Sequence, residues 1–92
     1  MDVEAGSLVF SEAGRDKGGL FLVLERQGEY CFIADGRGRK AENPKKKKLK
    51  HLRSAGETIS SLKSKIDIGD RPTNTEIRKS IREFADRIGY EL

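Results

Sequence analysis

The chain has 92 residues, of which 37% are charged and 35% hydrophobic, and its net charge is +4. A chain of this length forms one small domain with a limited core, which leaves little room for an enzyme cleft. The single cysteine, Cys31, excludes an internal disulfide, and together with the single histidine, His51, it cannot supply four zinc ligands. No apolar run is long enough to span a bilayer, and the N-terminal segment does not resemble a signal peptide, so we expect a cytoplasmic protein.

Short apolar runs separated by glycine-containing turns predict a series of β-strands in the first half of the chain. The predicted strands cover residues 7–11, 20–26 and 29–35, a fourth beginning at residue 39, and 48–52. The second and third are apolar at both odd and even positions, which predicts that both of their faces are covered. Five short strands with a long first connection favour a small half-open β-barrel over residues 1–53.

The second half is predicted to hold a linker and one helix. Residues 54–72 are predicted to be a linker, because residues 54–65 are serine-rich and weakly patterned, and the alternating residues 65–68 are a candidate edge strand. Thr73 and Glu76 form a capping box, and Gly89 is placed to end a helix over residues 73–89. One apolar stripe should dock this helix on the barrel, and it consists of Ile77, Ile81, Phe84 and Ile88. The predicted fold class is mostly β with an amphipathic C-terminal helix, in a single domain.

Positive charge is concentrated in one band, residues 37–53. The band holds nine lysines or arginines against one acid, Glu42, so its charge is +8 and the rest of the chain sums to −4. Such a band is the usual electrostatic footprint of a nucleic-acid-binding protein. A solvated or disordered lysine run has the same composition. The acidic, apolar segment 1–36 that precedes the band favours the functional interpretation.

A charged tip between the first two predicted strands suits a phosphate. Residues 14–18 read Gly-Arg-Asp-Lys-Gly, and the two glycines permit the positive φ angles of a sharp reversal. Arg15 and Lys17 would then project outward beside exposed backbone amides, which favour anions. An ordinary hairpin loop explains the same spacing.

The segment around this tip resembles the KOW motif, the strand–loop–strand unit of SH3-like barrels in ribosomal proteins and transcription elongation factors. The matching residues are Gly6, Val9, Gly14, Asp16, Gly18 and Val23. One departure is Phe21, which stands where many members have a second loop glycine. The resemblance implies a small SH3-like half-open barrel of the KOW type.

A longer resemblance, over roughly residues 6–82, is to large-subunit ribosomal protein fourteen of the archaeal and eukaryotic type. The similar segments are residues 13–18, 33–36, 45–52, 65–68 and 73–78. This similarity implies an SH3-like barrel with a helical appendage that binds structured ribosomal RNA. The protein would act as a ribosomal protein or a ribosome-associated factor, with large-subunit RNA and other ribosomal proteins as partners.

The candidate RNA contacts are directed at phosphates. No aromatic residue lies between Phe32 and Phe84, so the interleaved stacking rings of single-strand binders are missing from the band. Phosphate contacts position an RNA without reading its sequence, which suits a folded RNA recognised by shape. The candidate RNA-binding residues are Arg15, Lys17, Arg37, Arg39, Lys40, Lys45, Lys46, Lys47, Lys48, Lys50 and Arg53.

An alternative function is that of an SH3-like adaptor that recognises an acidic protein partner in the transcription or translation machinery, since fold alone does not decide function. An enzyme is not expected, because the carboxylates form no pair in an apolar setting and His51 lies among lysines. No cofactor or metal site is expected either.

Overall fold

The structure, a computed structural model, describes residues 2–92 and contains a five-stranded antiparallel sheet and two helices. The order across the sheet is β4-β3-β2-β1-β5, and the sheet is not closed into a barrel by a β4–β5 pairing. The strands are β1 (Ser7–Ser11), β2 (Leu20–Gln27), β3 (Tyr30–Ala34), β4 (Lys45–Lys48) and β5 (Leu52–Thr58). The helices are α1 (Ser60–Asp67) and α2 (Asn74–Ile88), and two short 3-10 helices cover Gly14–Asp16 and Leu49–His51.

The first three predicted strands are confirmed to within one residue at each end, but the fourth and fifth are wrong. Residues 39–41 do not form a strand, because the Asp35 carboxylate holds the preceding residues in a loop. The predicted strand 48–52 is divided by the 3-10 helix, so that Lys48 ends β4 and Leu52 begins β5. β5 then runs to Thr58, inside the predicted linker, because this segment pairs with β1.

The predicted strand at residues 65–68 is also wrong, since residues 65–67 form the last turn of α1. Three apolar residues of this region lie on one helical face: Ile59 and Ile66 are half-buried, and Leu62 is buried. Their spacings of three and four residues suit a helix and not a strand. The segment 54–72 therefore contains strand and helix that pack on the fold, in place of a linker.

The predicted C-terminal helix is confirmed. The Thr73 hydroxyl accepts a hydrogen bond from the Glu76 N–H at 3.1 Å, the Glu76 carboxylate accepts one from the Thr73 N–H at 2.9 Å, and Gly89 ends the helix at φ +73°. The apolar stripe requires one correction, because Ile88 is 49% exposed and Ala85 is buried in its place. The buried stripe therefore ends at Ala85, three residues before the predicted Ile88.

Two apolar clusters lie on opposite faces of the sheet, which confirms the prediction that β2 is covered on both sides. Leu20 and Leu22 face the two helices, whereas Phe21 and Val23 face a second cluster. The second cluster joins Ile33 of β3 to Leu52 of β5, although β2 and β1 lie between them. Val9 of β1 and Phe21 and Val23 of β2 belong to the same cluster, so the cluster extends across four neighbouring strands of the sheet.

Candidate nucleic-acid interface

Asp16 connects the charged tip to two other cationic segments. Its carboxylate accepts two hydrogen bonds from Arg39, at 3.3 and 3.2 Å, and lies 3.9 Å from the Lys47 ammonium group. The side chains of Asp16 and Lys47 are only 13% and 10% exposed, so water screens their attraction less than it would at the surface. Three segments that are distant in sequence, residues 14–17, 37–40 and 45–48, are therefore held together.

The tip itself is fixed at both ends. Gly14 and Gly18 adopt φ angles of +73° and +87°, as predicted for the flanking glycines. The Tyr90 hydroxyl donates a hydrogen bond to the Gly18 carbonyl at 2.5 Å, which ties the tip to the end of the chain. Arg15 and Lys17 are exposed on this anchored loop, so the structure places them where a phosphate can reach them.

The loop between β3 and β4 is also held in place. One oxygen of the Asp35 carboxylate accepts hydrogen bonds from the N–H groups of Arg37 and Arg39, both at 2.9 Å. Arg78 of α2 donates to the Gly36 carbonyl at 2.7 Å. Gly36 has φ +77°, and a Cβ there would lie 2.5 Å from the Asn74 carbonyl oxygen, so only glycine fits. The exposed side chain of Arg37 therefore projects from a fixed backbone.

The lysine run is a strand and not a free tail. Lys45–Lys48 pair with Tyr30–Ile33 at one edge of the sheet. Lys45, Lys46 and Lys48 are exposed, but Lys47 is buried and its ammonium group donates to the Ala13 carbonyl at 2.8 Å. We therefore remove Lys47 from the candidate phosphate ligands and assign it a positioning role. Lysines on an edge strand also prevent edge-to-edge association of sheets. The lysines of β4 therefore have a structural explanation as well as a functional one.

Arg53 lies on the opposite edge strand and has contacts of its own. Its guanidinium donates to the Glu12 carboxylate at 3.2 Å and lies 4.6 Å from the centre of the Phe10 ring. The side chain remains 60% exposed, so these contacts do not remove it from solvent. Of the eleven predicted residues only Arg39 and Lys47 are not exposed. The exposed ones are Arg15, Lys17, Arg37, Lys40, Lys45, Lys46, Lys48, Lys50 and Arg53.

Two aromatic side chains of β3 border the lysines. Tyr30 and Phe32 are both half-buried, and in the register of the sheet they pair with Lys48 and Lys46. The Lys46 ammonium group lies 4.5 Å from the centre of the Tyr30 ring, which is a cation–π contact. The β3–β4 pairing that makes them neighbours was not predicted, because a ten-residue loop separates the two strands.

Other kinds of site find no support in the part of the chain that the structure describes. No group of three or more metal-binding side chains occurs in residues 2–92, and no helix there is long and apolar enough to cross a membrane. Burial raises the pKa of the Cys31 thiol, an effect that the nearby Arg26 charge partly opposes, so the thiol stays protonated and weakly nucleophilic.

No model of a known protein family matches this sequence, and no curated protein matches it significantly. The functional interpretation consequently depends on the residues themselves. The relevant observations are the exposure of the cations, the contacts of Asp16 that hold their segments together, and the aromatic side chains beside β4.

Proposed function

We propose that this protein binds structured RNA through lysine and arginine contacts to phosphates. The observation that carries the proposal is the ion-pair cluster of Asp16, Arg39 and Lys47. It neutralises the acid within the tip and brings three cationic segments to one part of the surface. The exposed cations around it can then contact several phosphates of one folded RNA together.

The two less exposed cations have a different role from their neighbours. Arg39 and Lys47 satisfy Asp16 and the Ala13 carbonyl, so their loss would disturb the arrangement of the tip before it removed a phosphate contact. The exposed cations lie on backbone that is already ordered, which reduces the entropy cost of binding. If about half of them touch phosphate, log affinity should fall with log salt with a slope of roughly −3 to −4.

The ribosome is the proposed place of action, and the fold supports this through the resemblance to KOW proteins. The open five-stranded antiparallel sheet, with apolar clusters on both faces and the glycine tip between β1 and β2, is the observation that supports an SH3-like half-open barrel. The helix that packs on it supports the helical appendage that the resemblance to ribosomal protein fourteen implies. On this proposal the protein is cytoplasmic, and its partners are large-subunit ribosomal RNA and neighbouring ribosomal proteins.

A second candidate function is that of an adaptor for an acidic protein. The outer edge of β4 has no neighbouring strand in the sheet and carries exposed lysines, so an acidic extended peptide could add to it as a further strand. Nuclease treatment separates the two candidates, because it should release the protein from ribosomal fractions only if RNA holds it there.

The test is crosslinking of RNA to the native protein followed by sequencing, with Lys45→Gln, Lys46→Gln and Lys48→Gln combined as the variant. Lys47 is left in place because it is buried. We expect discrete crosslinks in large-subunit ribosomal RNA that disappear in the variant. Diffuse crosslinks that the variant leaves unchanged would contradict the proposal and favour the adaptor.

A further inference from the structure

One end of the sheet face that carries the helices is left uncovered. Tyr30, Phe32 and Ala34 alternate along β3 and therefore point to the same side. Ala34 is buried beneath the helices, whereas Phe32 lines a groove beside Ile66 and Pro72, at the margin of the helical layer. Tyr30 lies further along the strand, beyond that margin. Two aromatic side chains are thus only half-buried at one end of a face whose other end is core.

Charge is distributed unequally around these two rings. On the β4 side, the neighbours of Phe32 and Tyr30 are Lys46 and Lys48, and the Lys46 ammonium group lies over the Tyr30 ring. On the β2 side, the paired residues are Glu25 and Gln27, whose side chains are hydrogen-bonded to each other. The groove beside Phe32 is also lined by Glu42, Asp70 and Arg71, so positive charge is concentrated at the Tyr30 end of the face. A polyanion would therefore be attracted to the side of Tyr30 where Lys46 and Lys48 lie, and repelled from the β2 side.

We propose that Tyr30 and Phe32 form a stacking platform for an unpaired base of the bound RNA. The sugar–phosphate backbone of that nucleotide lies on the β4 side, where Lys46 and Lys48 contact its phosphates. This proposal rests on the proposed RNA-binding function, and it adds recognition of a bulged or looped nucleotide to the phosphate contacts. A purely double-helical RNA has no free base to supply, so the platform selects RNA with an irregularity.

Replacement of the Lys46 ammonium group by an RNA base on the face of the Tyr30 ring is favourable. An exposed cation–π contact such as that of Lys46 changes an equilibrium constant by a factor of about 2 to 5. Stacking of a base on an aromatic side chain raises the binding constant by a factor of about 5 to 150. The incoming base therefore replaces the ammonium group on the ring, and Lys46 gains a phosphate in compensation.

The experiment compares two RNA hairpins that are identical except for one unpaired 2-aminopurine in the stem of the second. We expect the wild-type protein to bind the bulged hairpin about 5- to 150-fold more tightly than the uninterrupted one. Its binding should also quench 2-aminopurine fluorescence. In Tyr30→Leu the preference and the quenching should be lost, while affinity for the uninterrupted hairpin stays within about 2-fold, because leucine keeps an apolar side chain at this half-buried position.

Two variants control for indirect effects. Tyr30→Phe retains the ring and should retain the preference, which separates stacking from a contact of the hydroxyl group. Tyr90→Phe alters the other tyrosine, whose hydroxyl ties down the charged tip, and should leave the preference unchanged. Circular dichroism of each variant establishes that the sheet is intact.

Each result decides the matter. Equal binding of both hairpins by the wild-type protein, or a preference that survives Tyr30→Leu, would overturn the stacking platform while the phosphate-directed function stands. Failure to bind either hairpin would overturn both proposals together.

Discussion

Replacing Lys45 and Lys48 by glutamine should weaken RNA binding through the loss of phosphate contacts. Both side chains are exposed on the edge strand, so the double variant should fold normally, with a free energy of unfolding within about 0.5 kcal/mol of the wild-type value. The matched control is Lys79→Gln with Arg87→Gln, which removes the same charge from exposed positions on α2. Arg87 pairs with Glu57 of β5, away from the β4 edge.

The magnitude follows from the release of counterions. Each phosphate contact contributes about 0.7 to 0.9 to the slope of log affinity against log salt, so two lost contacts should reduce the slope by about 1.4 to 1.8. Because this electrostatic contribution vanishes near 1 M salt, the loss of affinity at about 0.15 M salt should be about 10- to 30-fold.

The assay is a salt titration of binding to a structured RNA fragment, followed by fluorescence anisotropy for the wild-type protein and both variants. We expect the reduced slope only in the Lys45/Lys48 variant. Equal losses in the two variants would show that net charge and not position governs binding, and an unchanged slope would show that these lysines touch no phosphate. Either result would refute the proposed interface.

Two further predictions concern the contacts that hold the interface and the helices in place. Asp16→Asn should lower the free energy of unfolding by about 1–2 kcal/mol, because a charged hydrogen bond to the one-third-exposed Arg39 is lost and Lys47 is left without its anion. Urea denaturation measures this change, and an unchanged denaturation midpoint would contradict the prediction. The hydrogen bond from Lys65 lowers the pKa of Glu76, so the contact stabilises the fold above the usual pKa of about 4.5 and is lost as the pH falls through the lowered pKa. Glu76→Gln should therefore be less stable than wild type at neutral pH and should lose less stability than wild type below pH 4.5. Thermal unfolding at a series of pH values measures this, and an equal loss of stability in the two proteins on acidification would contradict it.

The elements that sequence alone could predict are those whose signals are local. Short apolar runs bounded by glycine-containing turns specified β1 to β3, and the Thr73–Glu76 capping box together with Gly89 specified α2. β5 was missed because its partner is far away in sequence, as the pairing of Ser7 with Thr58 shows, and its own residues carry little apolar pattern. α1 was hidden by serines, although the spacing of its apolar residues contained the helical signal.

The cationic surface was predictable as a region but not in its details. Charge composition identified the band at residues 37–53, because clustering of charge along the chain can be recognised without the fold. Sequence could not show that Lys47 is buried, because this depends on Asp16 and the Ala13 carbonyl, which only the fold brings near. The contact of Lys46 with Tyr30 likewise depends on the register that follows a long loop.

Asp16 also explains why an acid stands in the middle of a tip that is proposed to bind phosphate. A carboxylate at this position would repel an RNA if it were exposed and unpaired. In the fold it is largely buried, and the positive charges of Arg39 and Lys47 outnumber its own negative charge. The local field near the tip is therefore positive despite the acid. The same carboxylate joins the tip to Arg39 and to Lys47 of β4, so that Arg15 and Lys17 project from a loop that is held to the edge of the sheet.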